Sequence, residues 1–568
     1  MKRGRDLSRR AVALFFVVLL CVGLLVRYDF STDESTEMFI LKSNGAEYVA
    51  QLFGEDSGLH AFYQRYVGNV KRISDSVDRD HGTSAYYVFL PAMAVLQYFS
   101  NYAAHIGWQC YTFMLFMLGV VALYGIAREL FHGSRWLSCT AALLLYLTPR
   151  MFAEGHYNNK DVVLLSLVLL TIWLGVRLIQ RDRLRDALLF SLAGAFAANT
   201  KIIGGWFWGV FGILYIVMHI RHRNVSGKMW RNGLVAVGAF LLFYLLLTPA
   251  MWNDPLGLLT YLLNNAASFS RWHSCVMFEG KVWEILNGEP LPWYYLPKLI
   301  CMTTPIPVLL LSLAGVLIMV VNSLRFRRQA ADAQDHLLFM WAIFVAFSVL
   351  LCIGMFAEVV LYNGWRHFYF FYAALMLFSL EALYALRKLL ADHRRVKRIA
   401  TAALAAYFAY HGISIACNHP LQGSYYNPIA APYVQEDYET DYWLLGNCAA
   451  LQATRDCKER NSDLELSFNG GFMTHFLADS FELRRSSVER IAYASDDANY
   501  YVEMVMYDAI LEDMSDAVFA EYQEHYRSKF GDNFAPPLFL WEDREDFHLL
   551  LTIEAYGIDI VRVYERNA

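Results

Sequence analysis

The sequence predicts an all-α polytopic membrane protein with a small soluble α/β domain at its C-terminal end, and three observations carry this. Of 568 residues, 57% are hydrophobic and only 18% charged, the balance of a chain solvated largely by lipid. About eleven windows are long enough, or nearly so, to cross a bilayer. They lie near residues 11–26, 106–130, 134–149, 161–180, 185–199, 201–220, 231–249, 297–322, 336–356, 366–387 and 398–416. From about residue 434 onward the composition turns to short alternating runs typical of a water-soluble fold.

The first window follows the basic stretch "MKRGRDLSRR", so it has the outline of a signal peptide. No small-x-small cleavage motif precedes Arg27 and many apolar runs come later, so an uncleaved first span is expected. Basic clusters follow alternate windows: "RELFHGSR", "RLIQRDRLR", "HIRHRNVSGKMWR", "RFRRQ" and "RKLLADHRRVKR". If every window spans, all of these share the side of the N-terminus, which the positive-inside rule makes cytoplasmic. The stretch around Lys201 reads as two short spans or as a broken hairpin, and both return the chain to the same side.

The opposite face then holds the loop 27–105, the short loop 150–160, the loop 250–296 and everything after about 417. Within the first loop, "SAYYVFLPAMAVLQYF" is short and interrupted by Pro91, which predicts a helix lying along the interface. Two domains are expected, 1–433 in the membrane and 434–568 outside it, the latter with strands in "LELSF", "YVEMVMYD", "LLLTIEAY" and "IDIVRVYE". Cys448 and Cys457 have a loop-compatible spacing for a disulfide there. The other cysteines include no CxxC and no zinc-type Cys/His pairing, and most lie in apolar runs as packing residues. With a net charge of −5 and no basic tract interleaved with aromatics, nucleic acid is not an expected partner.

Chemistry-bearing residues gather on the face away from the basic clusters. In "YDFSTDESTEMF", Asp33, Glu34 and Glu37 follow Ser31 and Thr32, either of which suits a helix cap. Two readings stand: acids that satisfy the dipole of a helix start, or a general base whose partial removal from water tunes its proton affinity. In "PRMFAEGHYNNKDVVLL", Asp161 opens a span and is preceded by His156, Asn158, Asn159 and Lys160. Ionisable groups at that depth tend to mark function, although Lys160 pairing with Asp161 as an anchor is the alternative. In "YNGWRHFYFFYAAL", Arg366 suits bidentate phosphate binding, His367 hydrogen bonding, and Tyr362 or Trp365 stacking on a sugar ring. An aromatic belt with a snorkelling arginine reads the same way.

The order of these pieces is familiar. A basic start and one span lead to an acidic pair, then "HYNNKD", "LPWYYLP" at Leu291–Pro297, "GWRHF" at Gly364–Phe368, and "HPLQGSYYN" running into "DYWLLG". From about residue 10 to 450 the chain resembles the bacterial GT-C glycosyltransferases of the family 39-like, phospholipid-carrier-dependent group, related to protein O-mannosyltransferases and aminoarabinose transferases. The resemblance implies a sugar moved with inversion from a polyprenyl-phosphate donor, usually undecaprenyl phosphate, to a hydroxyl of a lipid, glycan or protein. It implies the bacterial inner membrane, with the C-terminal domain extracytoplasmic. Asp33 falls on the catalytic base with Glu34 beside it, and Asp161 on the acid that organises the site. Lys160 falls on the donor phosphate, with His156 and Asn158 as further donor-binding candidates, and Arg366 and His367 on the carrier side. Many relatives have Pro where this chain has Asn159, so the shape of that loop is expected to differ.

No metal or other cofactor is expected. A divalent cation is possible if the oxygens of Asp33, Glu34, Glu37 and Asp161 converge, but their spacing does not demand one, and there is no Gly-rich nucleotide loop. The main alternative is a transporter or flippase of lipid-linked glycans, which predicts internal repeats and acids in mid-membrane. Neither is evident in the sequence. A polymerase or ligase of the related all-membrane type would carry long basic outer loops, whereas the basic residues here cluster on the other face.

Overall fold

The computed structural model describes residues 2–267, 275–285, 288–357, 359–458, 468–470, 500–521, 524 and 544–567. The fold is a helical bundle followed by a small sheet. α1 (Lys2–Leu25) leads into α2 (Glu34–Phe53), α3 (Gly58–Tyr66) and α4 (Leu90–Phe99). The bundle continues with α5 (Asn101–Leu130), α6 (Arg135–Tyr146), α7 (Pro149–Tyr157), α8 (Asp161–Arg181), α9 (Leu184–Thr200), α10 (Gly204–Arg221) and α11 (Gly227–Leu247). After α12 (Pro255–Ala267) and the hairpin β1 (Val276–Phe278) and β2 (Lys281–Trp283) come α13 (Tyr295–Thr303), α14 (Ile306–Leu324), α15 (Ala331–Phe356), α16 (Phe371–Leu389) and α17 (Arg394–Cys417).

Six of these, α5, α8, α11, α14, α15 and α17, are long and apolar enough to cross a membrane. α8 is the central one, buried along most of its length, whereas α11, α14 and α17 present most of their apolar surface outward, as helices facing lipid do. All the expected windows contain helix, but two of them are broken. The window 134–149 holds α6, whose 12 residues rise only about 18 Å, too little for a hydrocarbon core of roughly 30 Å. Proline ends it: Thr148 is extended at ψ 115° and Pro149 starts α7, which is buried throughout. Thr304 and Pro305 likewise separate α13 from α14. Between α9 and α10, Lys201 is extended, and Gly204 sits so close to the end of α9 that a Cβ there would meet the Ala197 carbonyl oxygen at 2.3 Å. The apolar stretch around Pro91 becomes α4, ten residues long and too short to span.

Beyond the bundle, α18 (Leu445–Lys458) packs on a four-stranded sheet of order β3-β4-β6-β5, made of β3 (Phe468–Gly470), β4 (Tyr500–Met504), β5 (Phe547–Ala555) and β6 (Ile558–Arg566). β3 runs parallel to β4, and the other pairs are antiparallel. Tyr556 and Gly557 join β5 to β6 with φ of 58° and 75°, the positive-φ pair of a tight hairpin turn. The strand expected in "YVEMVMYD" ends at Met504, and Val505–Asp513 forms helix α19 instead. The strand expected in "LELSF" lies mostly outside the described residues. Cys448 and Cys457 are not joined: both lie on α18, nine residues and so about 13 Å of helix rise apart, well beyond disulfide reach.

Candidate functional site

Four short segments meet at one end of the bundle: the start of α2, the turn into α8, the turn from α9 to α10, and the loop before α16. The turn into α8 is organised by Asn158. Its Oδ1 accepts from the backbone N–H of Asp161 at 2.8 Å and of Lys160 at 3.3 Å, satisfying donors that a helix start leaves open. Its Nδ2 donates to Glu154 Oε2 at 2.8 Å and to Asp161 Oδ2 at 3.3 Å. Asp161 is thereby aimed away from the helix end, where Lys201 pairs with its Oδ1. The cation that the sequence suggested for Asp161, its neighbour Lys160, is engaged elsewhere.

Lys160 pairs with Glu37 on the first turn of α2, and its Nζ also lies 3.0 Å from His81 Nδ1. Asn159 donates to Glu37 Oε2 at 3.1 Å. A proline at this position would have no side-chain donor for that contact. Burial draws the Lys160 ammonium downward, but the carboxylates of Glu37 and Asp33 outweigh it and hold the group above its usual range.

Asp33 occupies the N-cap position of α2 without capping it. Its Oδ2 instead accepts from Arg366 Nη1 at 3.0 Å. The two differ in access, with the Asp33 side chain 38% exposed and that of Arg366 8%. Asn363 and Gly364, at φ 54° and 66°, turn the chain sharply before Arg366, whose guanidinium lies 5.2 Å from the Tyr362 ring centre and 4.9 Å from that of Trp443. Arg366 Nε and Trp443 Nε1 are buried donors with no hydrogen-bond partner among the described residues. His367 packs edge-on against Tyr362 at 4.6 Å.

Two sequence candidates lie apart from this cluster. Glu34 points back into the bundle, where its Oε1 is 2.6 Å from His105 Nδ1 and both side chains are buried, while His105 Nε2 lies 3.1 Å from the Tyr28 carbonyl. His156 sits 2.9 Å from the Phe152 carbonyl and 3.1 Å from that of Gly23, stacked on Phe113 at 4.2 Å, so it seams α7 to α1.

Several site residues carried little local signal. Nothing local separates Glu37 from the other acids of its stretch, and Lys201 marks only a break between short spans, although a cation inside an apolar run is itself a marker. Under the site, the buried Arg150 Nη1 donates to the hydroxyls of Tyr369 and Tyr442, both at 3.2 Å, and Tyr369 and Tyr442 reach Glu154 Oε1 at 2.7 and 3.2 Å. Through Glu154 this network continues to Asn158 and Asp161. Glu439, one of four acids in "EDYETDYW", accepts from the Gly364 N–H at 2.5 Å.

Three cations, Lys160, Lys201 and Arg366, thus line one region, each opposite its own carboxylate, Glu37, Asp161 and Asp33. Such a set can hold an anionic group and offer a partly solvated carboxylate beside it. Among the described residues no three His, Cys, Asp or Glu side chains are grouped to hold a metal ion.

Comparison with known proteins gives the following. No curated protein matches the chain. Among solved structures, ArnT from Cupriavidus metallidurans matches in its apo state and in its undecaprenyl phosphate-bound state. Each match has 12% identity, covers 99% of this chain and 98% of the other, and has a TM-score of 0.41. Arabinosyltransferase EmbB from Mycobacterium smegmatis matches with 15% identity, 66% of this chain, 30% of the other and a TM-score of 0.35. Residues 95–252, which carry Asn158, Lys160, Asp161 and Lys201, match the family model of dolichyl-phosphate-mannose-protein mannosyltransferase, and over that stretch the chain is similar to this family.

Proposed function

We propose that this protein is a membrane glycosyltransferase that moves a sugar from a polyprenyl-phosphate carrier to an acceptor hydroxyl of a lipid, glycan or protein, with inversion and with Asp33 as base. The observation that carries the reading is the Asp33–Arg366 pair at 3.0 Å, a partly exposed carboxylate held beside a buried guanidinium whose Nε has no partner among the described residues. The family model supports the donor class, since the family's own description names a polyprenyl-phosphate sugar.

The chemistry follows from charge. The donor is a phosphodiester with one negative charge, and the departing polyprenyl phosphate carries a second. Cations around it are therefore worth more in the transition state than in the ground state, which is what accelerates a reaction. Asp33 takes the proton of the acceptor hydroxyl, the oxygen attacks the anomeric carbon from the face opposite the phosphate, and the electron pair of the breaking C–O bond goes to the phosphate oxygen. Lys160, Lys201 and Arg366 receive that charge. Because each is already opposed by a carboxylate, the phosphate enters by sharing these cations, and Arg366 turning toward it leaves Asp33 open to the acceptor.

The reaction belongs to the extracytoplasmic face of the bacterial inner membrane, on the ground that basic loops gather at the far end of α8 from Asp161, where Arg181 pairs with Glu129 and Arg221 with Asp335. Residues 1–433 form the membrane domain and 434–568 the outer one. A carrier or flippase is disfavoured because the charged groups sit at helix ends. The test is transfer from a polyprenyl-phosphate sugar in reconstituted vesicles: Asp33→Asn should lower turnover by about 10²–10⁴-fold. Full activity of that variant would remove Asp33 as the base, and transport of intact lipid-linked glycan without transfer would replace the enzyme reading.

A further inference from the structure

We infer that Glu439, on the chain beyond the last long helix, is a positioning residue that sets the loop presenting Arg366, so that the segment Glu439–Trp443 completes the anion-binding side of the site. The inference rests on the functional reading above and adds a part of the site from outside the membrane bundle.

Glu439 lies 75 residues beyond Gly364 in sequence, yet its buried carboxylate accepts the Gly364 N–H at 2.5 Å and is also hydrogen-bonded by the Asn363 backbone. These two successive residues hold left-handed φ values, and successive N–H groups in a turn form a concavity suited to an anion. Asparagine and glycine both enter that region readily, so the backbone allows the turn, and the Glu439 carboxylate holds its N–H groups in one direction. The Tyr295 hydroxyl secures the following peptide by donating to the Gly364 carbonyl at 3.0 Å. Arg366 follows two residues later.

The same segment then closes over the guanidinium. Tyr426 donates to the Glu439 carbonyl at 2.7 Å, and Asp441 accepts the Gly446 N–H at 2.5 Å, which fixes the turn through Leu444 at φ 64°. Between these anchors Trp443 lies against Arg366 and Tyr442 enters the Glu154–Arg150 network. A carboxylate buried without a directly bonded cation is costly, and burial pushes Glu439 up to about 7. Holding the Asn363–Gly364 turn in one shape gives that buried carboxylate its role.

The experiment has two arms on the full-length protein in detergent. In the first, amide hydrogen exchange is measured without ligand: Glu439→Ala should accelerate exchange across 362–368 by at least about tenfold while α5 and α8 keep their protection. In the second, binding of undecaprenyl phosphate is measured by native mass spectrometry. Glu439→Ala should weaken it by about tenfold, Arg366→Ala by as much, and the double variant by no more than either single change, because both act through one side chain. Glu439→Gln, which keeps an oxygen facing the Gly364 N–H, should stay within about threefold of the original. Unchanged exchange in Glu439→Ala overturns the assignment, as do losses that add in the double variant. If the unaltered protein ignores undecaprenyl phosphate, the functional reading falls, and the exchange arm alone decides the role of Glu439.

Discussion

Replacing Lys201 by methionine leaves Asp161 in place without its cation. The Asp161 side chain is only 4% exposed, while that of Lys201 is 27% exposed, so water reaches one end of the pair. Breaking a fully buried pair costs about 3–5 kcal/mol, because the remaining charge is left uncompensated. Here Asn158 still donates at 3.3 Å and water has access from the lysine side, which brings the expected loss to about 2–3 kcal/mol. Thermal unfolding in detergent measures it. The informative companion is Asp161→Asn in the Lys201→Met background, which removes the stranded charge. Stability should return most of the way, whereas transfer activity should not, since the phosphate has lost a cation. Lys201→Met as stable as the original protein, or a double variant less stable than both single ones, would refute the reasoning.

Four further outcomes are expected. Glu34→Gln should keep turnover within a few fold, in contrast to Asp33→Asn, because Glu34 faces His105 and not the cation cluster; equal losses in the same assay would place both acids at the reaction. Gly204→Ala should cost about 1–3 kcal/mol, since the added methyl meets the Ala197 carbonyl at 2.3 Å, and retained thermal stability would contradict that close turn. Burial raises Glu439 to about 7 from a usual value near 4.5, so the folded state binds its proton more tightly than the unfolded chain does. Its contribution to stability is present below about pH 4.5 and lost as pH rises through about 7, so Glu439→Gln should flatten stability over that window, which unfolding curves at several pH values check. Chelator treatment should leave transfer unchanged, because Asp33, Glu37 and Asp161 each face a different cation and Glu34 faces His105; loss of activity restored by a divalent ion would overturn this.

Features governed by solvent were decided by the sequence alone. Apolar windows locate helices because a backbone in lipid must satisfy its own hydrogen bonds, and every window contains one. The strands β5 and β6 were legible from period-two alternation for a similar local reason. Prolines already marked the weak points, yet whether Pro149 kinks a span or ends it depends on what packs around α7, all of which is buried.

The site was legible as a set of segments but not as a set of pairs. Asp33, Lys160, Asp161 and Arg366 stood out because ionisable groups at the ends of apolar runs are expensive. Which cation each acid takes is a matter of side-chain reach across helices, so Lys160 went to Glu37 and Asp161 to Lys201, from positions 123 and 40 residues away that no local pattern links. Glu34 and Asp33 are adjacent in sequence, but a step of one residue at a helix start turns a side chain through about 100°, toward His105 in one case and Arg366 in the other. Sequence by itself determined a helical membrane protein with charged groups gathered at one end of the bundle, because lipid imposes that pattern residue by residue. Only the tertiary structure decided the partners of Asp33, Glu37, Asp161 and Glu439, because pairing energies depend on distance and burial that arise when segments far apart in the chain meet.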